Sequence, residues 1–246
     1  MSKSTVVFTK KAHIASVTLN RPGAGNAVDR ELARELEEAC GRIKDDDDIY
    51  VVILTGAGNS FSVGGEEGIE ETCHPAAAIA GIDRPVIVAI NGDALGLGLE
   101  IALSGDIRIA SDKARFGLPQ VAGGRIPMDG GTQRLPRIVG RGKALELLMT
   151  AVTISAAEAL EIGLVSKIVP YGELAGEAEK LAETIAAKGP IALRYLKEAI
   201  IKGMDMTLEQ GLRLEADLYF LLHTTIDRTE GIKSYLEKRK PEYKGK

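Results

Sequence analysis

Apolar residues cluster in three short β-rich runs, IASVTL at 14–19, YVVIL at 50–54 and VIVAI at 86–90. Each is followed by a glycine-rich or polar turn and then by a stretch of helical period, which predicts an α/β fold. Between the first two runs Leu32, Leu36, Ala39, Cys40 and Ile43 share one face of a helix that Asp29 is placed to cap. The acidic run Asp45 to Asp48 reads as a solvated turn at its end. From about residue 143 strand signals nearly vanish, apart from LVSKIV, and amphipathic helices take over. Ser155 and Glu158 make a capping box before ALEIG, and Gly163 supplies the stop. Further helices are predicted at about 173–187, 190–202, 207–223 and 229–239. Leu212, Leu214, Leu218, Phe220, Leu221 and Leu222 are more apolar residues than one helix face can hide, so this region buries them either in subunit contacts or against its own chain.

Two glycine-rich segments carry the candidate chemistry. After PVIVAI comes NGDALGLGLEIALSGDI, in which glycines precede a short helix. Such a junction leaves backbone N–H groups unpaired at the positive end of a helix dipole, where a developing oxyanion is stabilised. Taken alone it is equally a tight strand-to-helix turn. FSVGGEE at 61–67 repeats the arrangement of strand end and small-residue loop, and two such loops can give two donors to one oxygen.

With both loops in view, the chain resembles the crotonase superfamily of enoyl-CoA hydratases and isomerases. FSVGGE fits that family's F-[AS]-x-G-[AG]-[DE], and NGDALGLGLE fits its N-G-x-A-x-G-x-G-x-E. LNRPGAGNAV, GGTQRLPRIVG at 130–140, ALEIGLVSKIV at 159–169 and DRTEGIKSYLEKRKP at 227–241 extend the match in family order over nearly the whole chain. The resemblance implies a stack of ββα turns forming two near-perpendicular sheets. Residues 1–190 would be that core with an acyl-CoA site, and 191–246 a helical region for trimerisation and for closing the CoA cleft. It implies that the N–H groups of Gly65 and Leu97 hold a thioester oxygen, and that Ala24, Gly64, Gly65, Glu66, Leu97, Tyr235 and Lys238 contact CoA. Leu97 stands where the family usually has Gly, which is tolerable because only the amide is used. The acyl group would come as the CoA thioester, with no tightly bound cofactor and no metal. The expected assembly is a homotrimer or a dimer of trimers. The segment EEGIEETCHPAAAIAGIDRP, where the family usually carries a Lys or Arg and a longer helix, is acidic and short, which alters the lid of the acyl pocket.

Hydration of an α,β-unsaturated thioester needs a base for water and an acid for the α-carbon. The family's first glutamate corresponds to Glu100, in the apolar stretch LGLGLEIAL, where an unused charge is costly. Its plainer role is a favourable carboxylate in a first helical turn. The second glutamate position holds Gln120, in RFGLPQVAGG; it cannot exchange a proton but can orient water or a carbonyl. Asp129, in IPMDGGTQRL, adds a carboxylate matching the aspartate of dienoyl-CoA isomerases and aryl-CoA dehalogenases, or it caps the helix that follows it. The leading reading is an enoyl-CoA hydratase using Glu100 with Asp129 or with a water held by Gln120. The alternatives are an enoyl or dienoyl-CoA isomerase, a hydrolase with Asp129 as nucleophile, and a non-catalytic acyl-CoA-binding relative.

Composition narrows the partners. The 246 residues, 45% of them apolar, can bury a large core, and the net charge of −4 without a basic block argues against nucleic acid and anionic membranes. The two cysteines, Cys40 and Cys73, suggest neither a disulfide framework nor a zinc site. The start of the chain lacks the apolar core of a signal peptide, and no apolar run reaches membrane-spanning length, so a cytoplasmic location is expected. His13, His74 and His223 are isolated, and only His74 falls near the expected pocket.

Overall fold

In the computed structural model, which describes residues 4–69 and 73–246, the run VIVAI is β5 (Val86–Ile90), buried over its whole length. A strand covered on both faces has no reason to alternate apolar with polar residues. It lies inside a six-stranded sheet that also contains β1 (Val6–Lys11), β2 (Ile14–Leu19), β3 (Val51–Gly56), β7 (Ile107–Ser111) and β10 (Lys167–Val169). The order is β1-β2-β3-β5-β7-β10; β1 and β2 are antiparallel, with Val6 opposite Leu19, and every other pair is parallel. Val86, Val88 and Ile90 face a core shared with Leu32, Leu36 and Ile43 of α1 (Arg30–Asp45). Ile87 and Ala89 face the other way, onto Leu174, Ala178 and Ala182 of α7 (Leu174–Ala186). The sheet therefore separates two cores.

A second sheet runs β4-β6-β8-β9, made of β4 (Ser60–Ser62), β6 (Asp93–Leu95), β8 (Arg115–Gly117) and β9 (Ile154–Ser155). Strands of two or three residues are too short to show a period of two. The chain alternates between the sheets, β3 to β4, β5 to β6 and β7 to β8, with helices between successive passes, and this is the expected succession of ββα turns. The helices that position the site are α2 (Pro75–Ala80), α3 (Leu97–Leu103) and α4 (Gly131–Val139). They are followed by α5 (Arg141–Thr150) and α6 (Ala156–Glu161), and after α7 by α8 (Pro190–Gly203), α9 (Leu208–Leu222) and α10 (Ile226–Leu236).

Local signals in the sequence correspond to local structure. Asp29 accepts from the Leu32 N–H at 2.8 Å, and Ser155 and Glu158 form their reciprocal box. The Cys40 thiol lies inside the α1 face, and burial pushes its pKa up to about 12, which leaves it protonated and unreactive at neutral pH. The acidic run is the largely exposed turn expected, and its carboxylates also form ion pairs: Asp46 and Asp48 with Lys10, and Asp47 with Arg84 and Arg194, of which Arg84 is buried. Partners so distant along the chain leave no mark in the run itself. The last helix starts three residues earlier than its periodicity suggests, because Thr225 caps it through the Arg228 N–H, and it ends at Leu236. Lys238, just beyond, adopts a left-handed φ of 54° that no helix continues through.

Candidate active site

The loop after β4 is pinned from both sides of one residue. Gly64 accepts from the Val28 N–H at 2.8 Å and Glu66 donates to the Val28 carbonyl at 2.9 Å, which turns the N–H of Gly65 away from Val28. The second loop leaves β6 through Gly96, whose φ of 51° and ψ of −126° suit glycine alone, and enters α3 at Leu97. No side chain caps α3, so the Leu97 N–H is one of its open first-turn donors. Among the described residues neither the Gly65 nor the Leu97 N–H takes part in a hydrogen bond. The loops touch: a Cβ built on Gly65 would lie 3.2 Å from Leu97 Cδ2, and one on Gly96 would lie 3.8 Å from the Gly64 Cα. The approach is fixed a residue later, where a Cβ on Gly98 would overlap the Ser62 carbonyl.

Glu100 follows one turn into α3 and is fully buried. Its Oε1 accepts from the N–H groups of Asp129 and Gly131, each at 2.8 Å, and its Oε2 from Gln120 Nε2 at 3.3 Å. Hydrogen bonds of this kind compensate a carboxyl group taken out of water. Gln120 sits in a 3₁₀ turn at Pro119–Gly123 and is 5% exposed; its Nε2 is 3.7 Å from where a Gly96 Cβ would stand. Its Oε1 is buried and has no hydrogen-bond partner among the described residues, an acceptor left over beside the Glu100 carboxylate.

Asp129 corrects an expectation. It does not cap α4, whose N-cap is Gly130; its carboxylate instead accepts from Ala76 N–H at 2.6 Å and Ala77 N–H at 3.2 Å, capping α2 from a segment fifty residues later. Burial raises its pKa, opposed by those two N–H groups and by His74, whose Nδ1 is 4.0 Å away. The other implied contacts divide. Ala24 ends a 3₁₀ turn next to Gly25, which accepts from the Val63 N–H at 3.0 Å, so it adjoins the first loop. Glu66 is held by Arg21 at 2.9 Å. Tyr235 is 83% exposed on α10, and among the described residues no hydrogen bond or ion pair ties it or Lys238 to the glycine loops. Sequence reasoning missed Arg21, which bridges Glu66 and Asp29, and Ile69, which packs onto Gly65 so closely that a Cβ there would overlap it. Residues 70–72 of the altered lid segment lie outside the described residues.

A family model described as enoyl-CoA hydratase/isomerase matches residues 9–246. The chain belongs to the enoyl-CoA hydratase/isomerase family. A short-chain-enoyl-CoA hydratase of Clostridium acetobutylicum is 40% identical to it, with 98% of each chain covered. A crotonyl-CoA hydratase of Syntrophomonas wolfei is 38% identical, with 99% of each covered. Among solved structures, an enoyl-CoA hydratase of Bacillus anthracis superposes with a TM-score of 0.93 at 39% identity, covering 98% of this chain and 100% of its own. The crotonase fold follows from that superposition. Within this enoyl-CoA hydratase/isomerase, no group of three or more His, Cys, Asp or Glu side chains is arranged to hold a metal among the described residues, and no described helix is long and apolar enough to cross a membrane.

Proposed function

We propose that the protein adds water reversibly to a short α,β-unsaturated acyl-CoA. The observation that carries this reading is the pair of unused amides, Gly65 and Leu97, on touching loops one helical turn from a buried carboxylate. The thioester oxygen accepts from both N–H groups, which stabilise the negative charge it gains as hydroxide adds to the β-carbon. Glu100 takes the proton of the attacking water and returns it to the α-carbon when the enolate collapses, so one carboxylate serves both transfers and the atoms of one water are accounted for. Gln120 orients that water by accepting its second hydrogen at Oε1, while Nε2 holds Glu100. The names of the relatives, short-chain and crotonyl, support a short acyl group. Incubation with crotonyl-CoA is expected to remove the absorbance of the conjugated thioester, and in deuterated water to leave one carbon-bound deuterium on the α-carbon. Persistent absorbance with deuterium exchange alone would instead indicate an isomerase, a reading favoured only by Gln120 standing where a second acid is usual.

The same reading includes an assembly. Leu196 and Ile200 on α8, Leu212 and Phe220 on α9, and Leu236 on α10 stand exposed on the single chain, an apolar extent that an isolated protein rarely presents. A homotrimer or dimer of trimers would bury it and bring Tyr235 and Lys238 to the nucleotide end of a CoA bound to a neighbouring copy. Light scattering is expected to give a mass of three or six chains; a mass of one chain at micromolar concentration would refute the assembly.

A further inference from the structure

We propose that Asp129 is a positioning residue that latches α2 to the loop holding Glu100, so that one wall of the acyl site and the proton-transferring carboxylate are set by a single residue. This rests on the hydratase reading for what Glu100 does, but the latch itself is a matter of geometry. Every polar atom of Asp129 is engaged. Its carboxylate accepts from Ala76 and Ala77, its N–H donates to Glu100 Oε1, and its carbonyl accepts from Arg134 Nη1 at 2.7 Å.

The need for such a residue lies in α2. A helix of six residues is too short to hold itself by its own bonds. Pro75 at its start has no N–H and the His74 side chain makes no cap, so the first donors are Ala76 and Ala77, the latter also reaching the His74 carbonyl at 3.1 Å. Asp129 takes both. What it fixes is a closely packed wall: Pro75, Ala76 and Ile79 are buried, and Ile69, just upstream, lies against Gly65. Both oxygens of its carboxylate meet backbone N–H groups of α2, which suits Asp129 to set the distance between α2 and Glu100.

Two substitutions separate the roles. Asn keeps one accepting oxygen for the Ala76 N–H, and the Ala77 N–H that loses its side-chain acceptor still reaches the His74 carbonyl, whereas Ala keeps no acceptor at all. Asp129→Asn is expected to hold kcat on crotonyl-CoA within about threefold of wild type, and Asp129→Ala to raise KM more than it lowers kcat. Amide exchange at residues 76–80 should quicken roughly 3–30-fold in Asp129→Ala, the scale of a lost helix cap, and far less in Asp129→Asn. The proposal is overturned if both variants lose kcat alike by roughly 10²–10⁴, the mark of a proton-transferring group, with α2 exchange unchanged. It is equally overturned if neither variant changes exchange or KM. A wild-type protein that turns over no enoyl-CoA would sink the hydratase reading while leaving the exchange measurement to decide the latch.

Discussion

Glu100→Gln should lower the rate of crotonyl-CoA hydration by roughly 10²–10⁴, the usual contribution of a positioned acid–base group, while leaving the fold in place. The substitution keeps the shape, and the retained carbonyl oxygen can still accept from the Asp129 and Gly131 N–H groups. The new amide nitrogen would meet Gln120 Nε2, donor against donor, yet Gln120 can turn its amide over and present Oε1, which has no other partner among the described residues. The stability change should therefore stay near about 1 kcal/mol, the scale of one hydrogen bond. Parallel measurement of kcat and of thermal unfolding tests this. A variant within threefold of wild-type turnover would remove Glu100 from the mechanism, and one that unfolds would show that its charge is chiefly structural.

The second large effect concerns the oxyanion donors, and the structure decides which of them can be tested cleanly. Gly65→Pro removes one N–H but also places carbon where Ile69 already packs, so lost activity would not isolate the donor. Leu97 is better placed. It is the first residue of α3, a position where proline is well tolerated and where the N–H takes part in no hydrogen bond among the described residues. Leu97→Pro is expected to cost about 2.7–4 kcal/mol of transition-state stabilisation, as other oxyanion donors do, seen as a fall in kcat. Leu97→Val trims the buried side chain to a similar size and keeps the N–H, so it should retain most of the turnover. Equal rates for the two variants would exclude the Leu97 amide.

Much of this arrangement was legible because its causes are local. The α1 face, the Asp29 cap, the box at Ser155 and Glu158 and the glycine loop before α3 each depend on residues within a few positions of one another. Glu100 stood out for a related reason: a charge inside an apolar run has to be used or paired. What escaped the sequence were pairings across long separations. Nothing around Asp129 announces that its partners are the N–H groups of Ala76 and Ala77, nor does the acidic run announce Arg84 and Arg194. The second sheet was hidden differently, since its strands offer two or three residues each and are recognisable only by what they pair with.

The contact of Gly98 on the Ser62 carbonyl has a bearing on how such a protein can diversify. It joins main chain to main chain, and the two amides it helps to space belong to the main chain as well. The Ser62 side chain that lies against the same contact is fully buried and accepts from the Gly64 N–H at 3.4 Å, which sets it apart from exposed side chains that change rotamer on the picosecond to nanosecond scale. The Leu97 and Ile69 side chains, which border Gly65, are thereby released from holding charge. Exchanging them can reshape what the protein accepts, generation after generation, while the charge-holding geometry passes unchanged from ancestor to descendant.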